Sequence, residues 1–182
     1  MESPRLRYAR LSAADSGFLR KLMNSPGWLA NIGDRGIHSD LDAANYIRDK
    51  ITPSCTAPWL GPYAMRQRDT KTAIGTIGIY ARPGLDIPDL GFALLPEFFR
   101  QGYAHEAAEA IITKARAGAG LQGQKELRLS AITLPQNLPS IRLLERLGFQ
   151  YLRPVVLPND TETLHYYEAV FPSLSSARHA SA

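Results

Sequence analysis

The sequence predicts a single α/β (α+β) domain in which antiparallel strands lead into one long helix and further strands close the sheet behind it. Three observations predict this class. Polar and apolar residues alternate with the period of a half-buried strand through Arg5-Leu6-Arg7-Tyr8-Ala9-Arg10-Leu11. An apolar run from Asp89 to Leu95 passes Pro96 and a short basic, glycine-containing turn, then opens into an alanine-rich segment from Tyr103. The 182 residues, 45% hydrophobic and 21% charged, suffice for one buried core.

Taken in order, the first strand is followed by Ser12-Ala13-Ala14-Asp15, a capping-box pattern that starts a helix over Ala13 to Asn24. Ser25-Pro26-Gly27 ends that helix, and Trp28 to Ser39, with Gly33 and Gly36, reads as an irregular loop. Ser39-Asp40-Leu41-Asp42 repeats the capping pattern, and Ala43, Ala44, Tyr46 and Ile47 give a second amphipathic helix that closes before Pro53. Three prolines and Gly61 make Thr52 to Pro62 a connector. Tyr63 to Arg68 and Ala73 to Tyr80 form a hairpin through Asp69-Thr70-Lys71, and Arg82 to Pro88 turns the chain into the strand at Asp89.

The long helix is expected over Tyr103 to Ala117. Gly118-Ala119-Gly120-Leu121-Gln122-Gly123 behind it has the spacing of a dinucleotide fingerprint, but such a motif follows a strand and opens a helix. Here it reads as a helix stop before the strand at Glu126 to Ile132. Asn137 is a good N-cap with Pro139 in the first turn, and Ile141, Leu143, Leu144 and Leu147 give an apolar face that ends at Gly148. Gln150 to Val156 and Leu164 to Ala169 are closing strands. The domain spans 1–172, and the small, polar segment 173–182 is expected to be a disordered tail.

Composition excludes several classes. No apolar run approaches the roughly 20 residues of a membrane span, and the N-terminus lacks a signal-peptide core, so the expected location is cytoplasmic, with the nucleus also allowed. On that footing the sequon Asn159-Asp160-Thr161 is not a modification site. A net charge of +4 and a pI near 9.3 suit an anionic partner, yet the basic residues are scattered, which argues against nucleic acid as the primary one. Cys55 has no disulfide partner and lacks the motif context of a nucleophile. His38, His105 and His165 have no metal-ligand spacing, so no metal is expected. Nothing signals an oligomeric state.

On local features, the turn before Tyr103 reads equally as an ordinary strand-to-helix joint or as an anion site. Helix N-termini present unpaired N–H groups and positive dipole, Arg100 adds charge, and Gly102 has no Cβ to obstruct a ligand. The choice sharpens when Phe99-Arg100-Gln101-Gly102-Tyr103-Ala104 is set beside Asn137-x-x-Ser140-x-x-x-Leu144-Glu145-x-x-Gly148-Phe149. In this order, with strands before and after, the two motifs resemble those of the GNAT N-acetyltransferases, most closely the RimJ/RimL-like branch. The resemblance covers Arg7 to about Val170.

The resemblance implies a mixed, mostly antiparallel central sheet of about seven strands with splayed central strands, flanked by about four helices. It implies acetyl-coenzyme A as donor, with its pyrophosphate on the amides of Arg100, Gln101, Gly102, Tyr103 and Ala104. The pantetheine arm would pair with the backbone of Ala93, Leu94 and Leu95 by strand addition. Asn137 would contact the arm, and Ser140 lies one helical turn away on a related face. The acceptor would be a small-molecule or peptide amine, a protein N-terminus included, held against a wall built from Trp28 to Trp59. Attack on a thioester needs a neutral amine, and Asp89 at the strand start or Glu97 before the loop could take its proton. Many relatives carry a tyrosine, acting as general acid, where this chain has Leu144. Ser140 or water could then protonate the leaving thiolate, or it could depart unprotonated. The alternative from a different class is a non-catalytic module of the same fold that binds or senses acyl-coenzyme A.

Overall fold

The computed structural model describes residues 1–158 and 160–174. Asn159, and with it the sequon, lies outside the described residues, as does the expected tail from 175 onward. Among the described residues seven strands form one sheet: β1 (Leu6–Arg10), β2 (Gly61–Gln67), β3 (Ala73–Tyr80), β4 (Asp89–Leu94), β5 (Glu126–Thr133), β6 (Gln150–Val155) and β7 (Leu164–Pro172). Their order is β1-β2-β3-β4-β5-β7-β6, antiparallel throughout except between β4 and β5. The mixed, mostly antiparallel sheet is the fold the sequence predicts. Past the end of β7, the Ser173 N–H bonds the Lys125 carbonyl at 2.9 Å and the Leu174 N–H bonds the Arg116 carbonyl at 3.2 Å.

Among the described residues six α-helical segments flank the sheet: α1 (Ser16–Met23), α2 (Pro26–Asn31), α3 (Asp40–Tyr46), α4 (Thr52–Ser54), α5 (Tyr103–Leu121) and α6 (Leu138–Arg146). Alternation along β2 feeds both faces. Tyr63 and Met65 join Ala107, Ala108, Ile111 and Ala115 of α5 in the larger core. Ala64 joins Leu19 and Met23 of α1, Ala43 of α3 and Ile47 on the opposite face. The small residues along α5 let its axis lie close to the strands.

Three local expectations give way. Ser25-Pro26-Gly27 does not lead into an irregular loop: Ser25 is the N-cap residue and Pro26 the first residue of α2, where its missing N–H costs nothing. The second helix does not close before Pro53. It runs through a π-helical turn at Ile47–Ile51 into α4, and Thr52 Oγ1 donates to the Ile47 carbonyl at 2.9 Å, beside the bond that the Thr52 N–H makes to the same oxygen. The long helix does not stop at Gly118 either. α5 continues to Leu121, and the left-handed turn comes only at Gly123, φ 76°. Gly118 answers a packing need, because a Cβ there would collide with the Trp59 ring. No helix among the described residues is long and apolar enough to cross a membrane.

Candidate functional site

The β4/β5 junction is where the sheet opens. β3 and β4 share six paired positions, but β4 and β5 meet at one, Asp89 with Ser130, where the Ser130 N–H bonds the Pro88 carbonyl at 2.9 Å. Beyond it the strands part. Leu95 N–H bonds the Ile74 carbonyl at 2.9 Å, and the ladder alternates from there. Gly91 and Ala93 therefore turn their backbone groups to β3, while Phe92 and Leu94 turn theirs into the opening. The Ala93 carbonyl indeed lies where a Cβ on Gly75 would sit. Of Ala93, Leu94 and Leu95, only Leu94 aims its backbone into the gap, and Phe92, which alternation could have supplied, is its companion.

The gap widens into a cleft of about 1450 Å³ lined by β4, the start of α5, the end of β5, α6 and the α2 side. At one wall the chain turns through Arg100, φ 59°, and Gly102, φ 80°, into the uncapped N-terminus of α5. The first closing bond of the helix is Glu106 N–H to the Gly102 carbonyl at 3.1 Å, so the amides of Tyr103, Ala104 and His105 have no intrahelical acceptor. Left-handed backbone at a non-glycine residue costs roughly 1–2 kcal/mol. Arg100 thus holds an unfavourable conformation beside three free amides, with its side chain exposed. Phe99 packs on α2, its Cζ 3.2 Å from where a Gly27 Cβ would stand.

Asp89 lies at the other end of β4 and is 1% exposed. Arg82, from the turn before it, donates Nε and Nη2 to Asp89 Oδ1 and Oδ2 at 3.1 and 3.0 Å, a two-point pair. Burial pushes the Asp89 carboxyl above its ordinary range, against the pull of the Arg82 charge and hydrogen bonds. Tyr80 is the register partner of Asp89 across β3, and its phenol is driven strongly upward by burial and by the Asp89 charge. Its ring lies over β4 because Gly91 has no side chain: a Cβ there would come within 2.9 Å of Tyr80 Cε2. Arg82 and Tyr80 were not singled out from sequence. Opposite charges at Arg82 and Asp89 across a Pro-Gly turn were the available signal.

On the far wall, Asn137 Oδ1 accepts the Ser140 N–H at 3.3 Å and caps α6. Asn137, Ser140 and the buried Leu144 line the cleft together with Asp89, Leu94 and Gly102. Glu97 does not join them. Its carboxylate accepts from Lys21 Nζ at 2.7 Å on the exposed surface, and that bond holds it below the ordinary carboxylate range. The arrangement offers free strand edge, free helix amides and guanidinium charge in one cleft, which suits an extended ligand with an anionic end.

A family model for the acetyltransferase (GNAT) domain matches residues 5–150. The uncharacterized N-acetyltransferase YoaA of Bacillus subtilis is 32% identical over 103 residues, 54% of this chain and 55% of that protein. The chain thus spans about half the length of the curated relative it matches. Among solved structures, an acetyltransferase from Agrobacterium tumefaciens superposes with a TM-score of 0.69 at 26% identity, covering 93% of this chain and 92% of the other. RimL, a ribosomal L7/L12 alpha-N-protein acetyltransferase in complex with coenzyme A, superposes with a TM-score of 0.72 over 94% and 97% of the two chains. At 14% identity it shares the fold.

Proposed function

Because the chain belongs to the GNAT acetyltransferase family, we propose that it transfers an acetyl group from acetyl-coenzyme A to a primary amine by direct attack in a ternary complex. The observation that carries this reading is the parting of β4 from β5 beside the uncapped start of α5. The residues present fit the coenzyme. Phe92 and Leu94 offer strand edge to an amide-bearing arm, and the amides from Gly102 to His105, with Arg100, suit phosphate oxygens. Asn137 and Ser140 face the same cleft and suit contacts to the arm.

The amine nitrogen attacks the thioester carbonyl, the C–S bond breaks, and the thiolate leaves. Asp89 is proposed as the base, because burial raises its proton affinity while Arg82 fixes its orientation. Glu97, tied to Lys21 outside the cleft lining, suits that role less. Leu144 has no proton to give, so Ser140 or water serves the thiolate, for which a pKa near ~8.5 makes departure unprotonated workable. The acceptor is a peptide or small-molecule amine. RimL, by name an alpha-N-protein acetyltransferase, supports a protein N-terminus.

The buried Leu144 in place of a tyrosine favours one second reading, a module that binds acyl-coenzyme A without turnover. A thiol-release assay across peptide N-termini and small amines separates the two. Acceptor-dependent release is expected. Coenzyme binding with no release for any acceptor would leave the module.

A further inference from the structure

The segment before β1 reaches across to the loop that opens α5, and Arg5 joins the two by four contacts. Its Nη1 donates to the Gln101 carbonyl at 2.9 Å, and its Nε to Glu106 Oε2 at 2.7 Å. Its backbone N–H donates to Glu106 Oε1 at 2.8 Å, and its guanidinium carbon lies 4.4 Å from the centre of the Tyr103 ring. Ser3 Oγ adds a second bond to Glu106 Oε1 at 2.7 Å. An exposed ion pair by itself contributes little to stability. This one grips the peptide whose amide opens the proposed phosphate site.

We propose that Arg5 is a positioning residue of the phosphate loop: by holding the Gln101 carbonyl, it turns the Gly102 N–H into the cleft. The inference rests on the coenzyme reading above and adds a residue outside both sequence motifs. In a trans peptide the carbonyl and the following N–H point in opposite directions. With the Gln101 carbonyl fixed on Arg5, the Gly102 N–H is directed away from Arg5, and Gly102 borders the cleft whereas Arg5 lies behind it. Gly102 is left-handed at φ 80°, and glycine crosses between backbone wells readily, so this peptide needs an external hold. Arg5 has a second effect on the same site. Glu106 lies in the first turn of α5, where its charge would oppose an incoming phosphate, and Arg5 with Ser3 occupies both of its oxygens.

The test compares two ligands by calorimetry on the full chain: coenzyme A, and acetyl-pantetheine, which lacks the phosphates. Arg5→Ala is expected to weaken coenzyme A binding by about ten-fold or more, the scale of a charged hydrogen bond, while acetyl-pantetheine binding stays within about two-fold. In steady state the KM for acetyl-coenzyme A rises and kcat stays near wild type. Equal losses for both ligands, or unchanged coenzyme A affinity, overturn the positioning role. Should Arg5→Ala not fold, Arg5→Lys keeps the charge near Glu106 without the planar fork, and the same phosphate-selective loss is expected. Wild-type protein that binds no coenzyme A overturns the parent reading, whereas wild-type binding matched by both variants overturns this inference alone.

Discussion

At the scale of single residues the proposed base is Asp89, a carboxylate that folding almost removes from water and then pairs at two points with Arg82. Taking a charge out of water favours its neutral form, so the raised affinity for a proton is bought with stability. The sign follows directly. Because the folded pKa exceeds its ordinary 3.8, the protonated form favours folding at low pH, and that contribution is lost as pH rises through the raised value. With Asp89 as the proposed base, the same shift puts the loss of activity on the acidic side, above the ordinary carboxylate range. Asp89→Asn is therefore expected to lower turnover by about 10²-fold or more at neutral pH. The deficit should narrow as pH rises and the acceptor amine loses its proton unaided, while coenzyme affinity holds. A pH–rate profile of the variant that overlays wild type would remove Asp89 as the base. Asp89 was legible in the sequence as a carboxylate at a strand start. Arg82 and Tyr80 were not, because their roles depend on the register of β3 against β4 and on the missing side chain of Gly91.

At the scale of elements, sequence patterns found most strands because burial writes an alternation into them, and they failed where a residue's usual meaning was overridden by packing. Ser25-Pro26-Gly27 does end α1, but Pro26 also opens α2, so the loop expected from Trp28 begins only after Asn31. Pro53 is accommodated by the π-helical turn before it. Gly118 lies inside α5 rather than at its end, and it is a glycine there because the Trp59 ring occupies the space of a Cβ. This last case yields a test with opposing terms. Alanine is better than glycine in a helix interior by about 1 kcal/mol. Forcing a methyl into filled space costs typically about 1–3 kcal/mol. Gly118→Ala is thus expected to lower the melting temperature, and a raised one would show that Trp59 does not hold that glycine in place.

At the scale of the molecule, the two helical layers cover opposite faces of one sheet, and the parallel junction between β4 and β5 is where strands separate. Periodicity and spacing could locate the strands on either side of that junction. The parting itself came only from resemblance to a family, since nothing in β4 or β5 read alone encodes how far they pair. The alternation seen in the structure then sharpens which backbone groups are free: Phe92 and Leu94 face the opening, while Gly91 and Ala93 are committed to β3. Amide hydrogen exchange with and without coenzyme A tests this most directly. Bound coenzyme should slow exchange at Phe92 or Leu94 and at the amides from Gly102 to His105, leaving Gly91 and Ala93 unchanged. Saturating coenzyme that alters none of the amides at the β4 opening or the α5 start would contradict it.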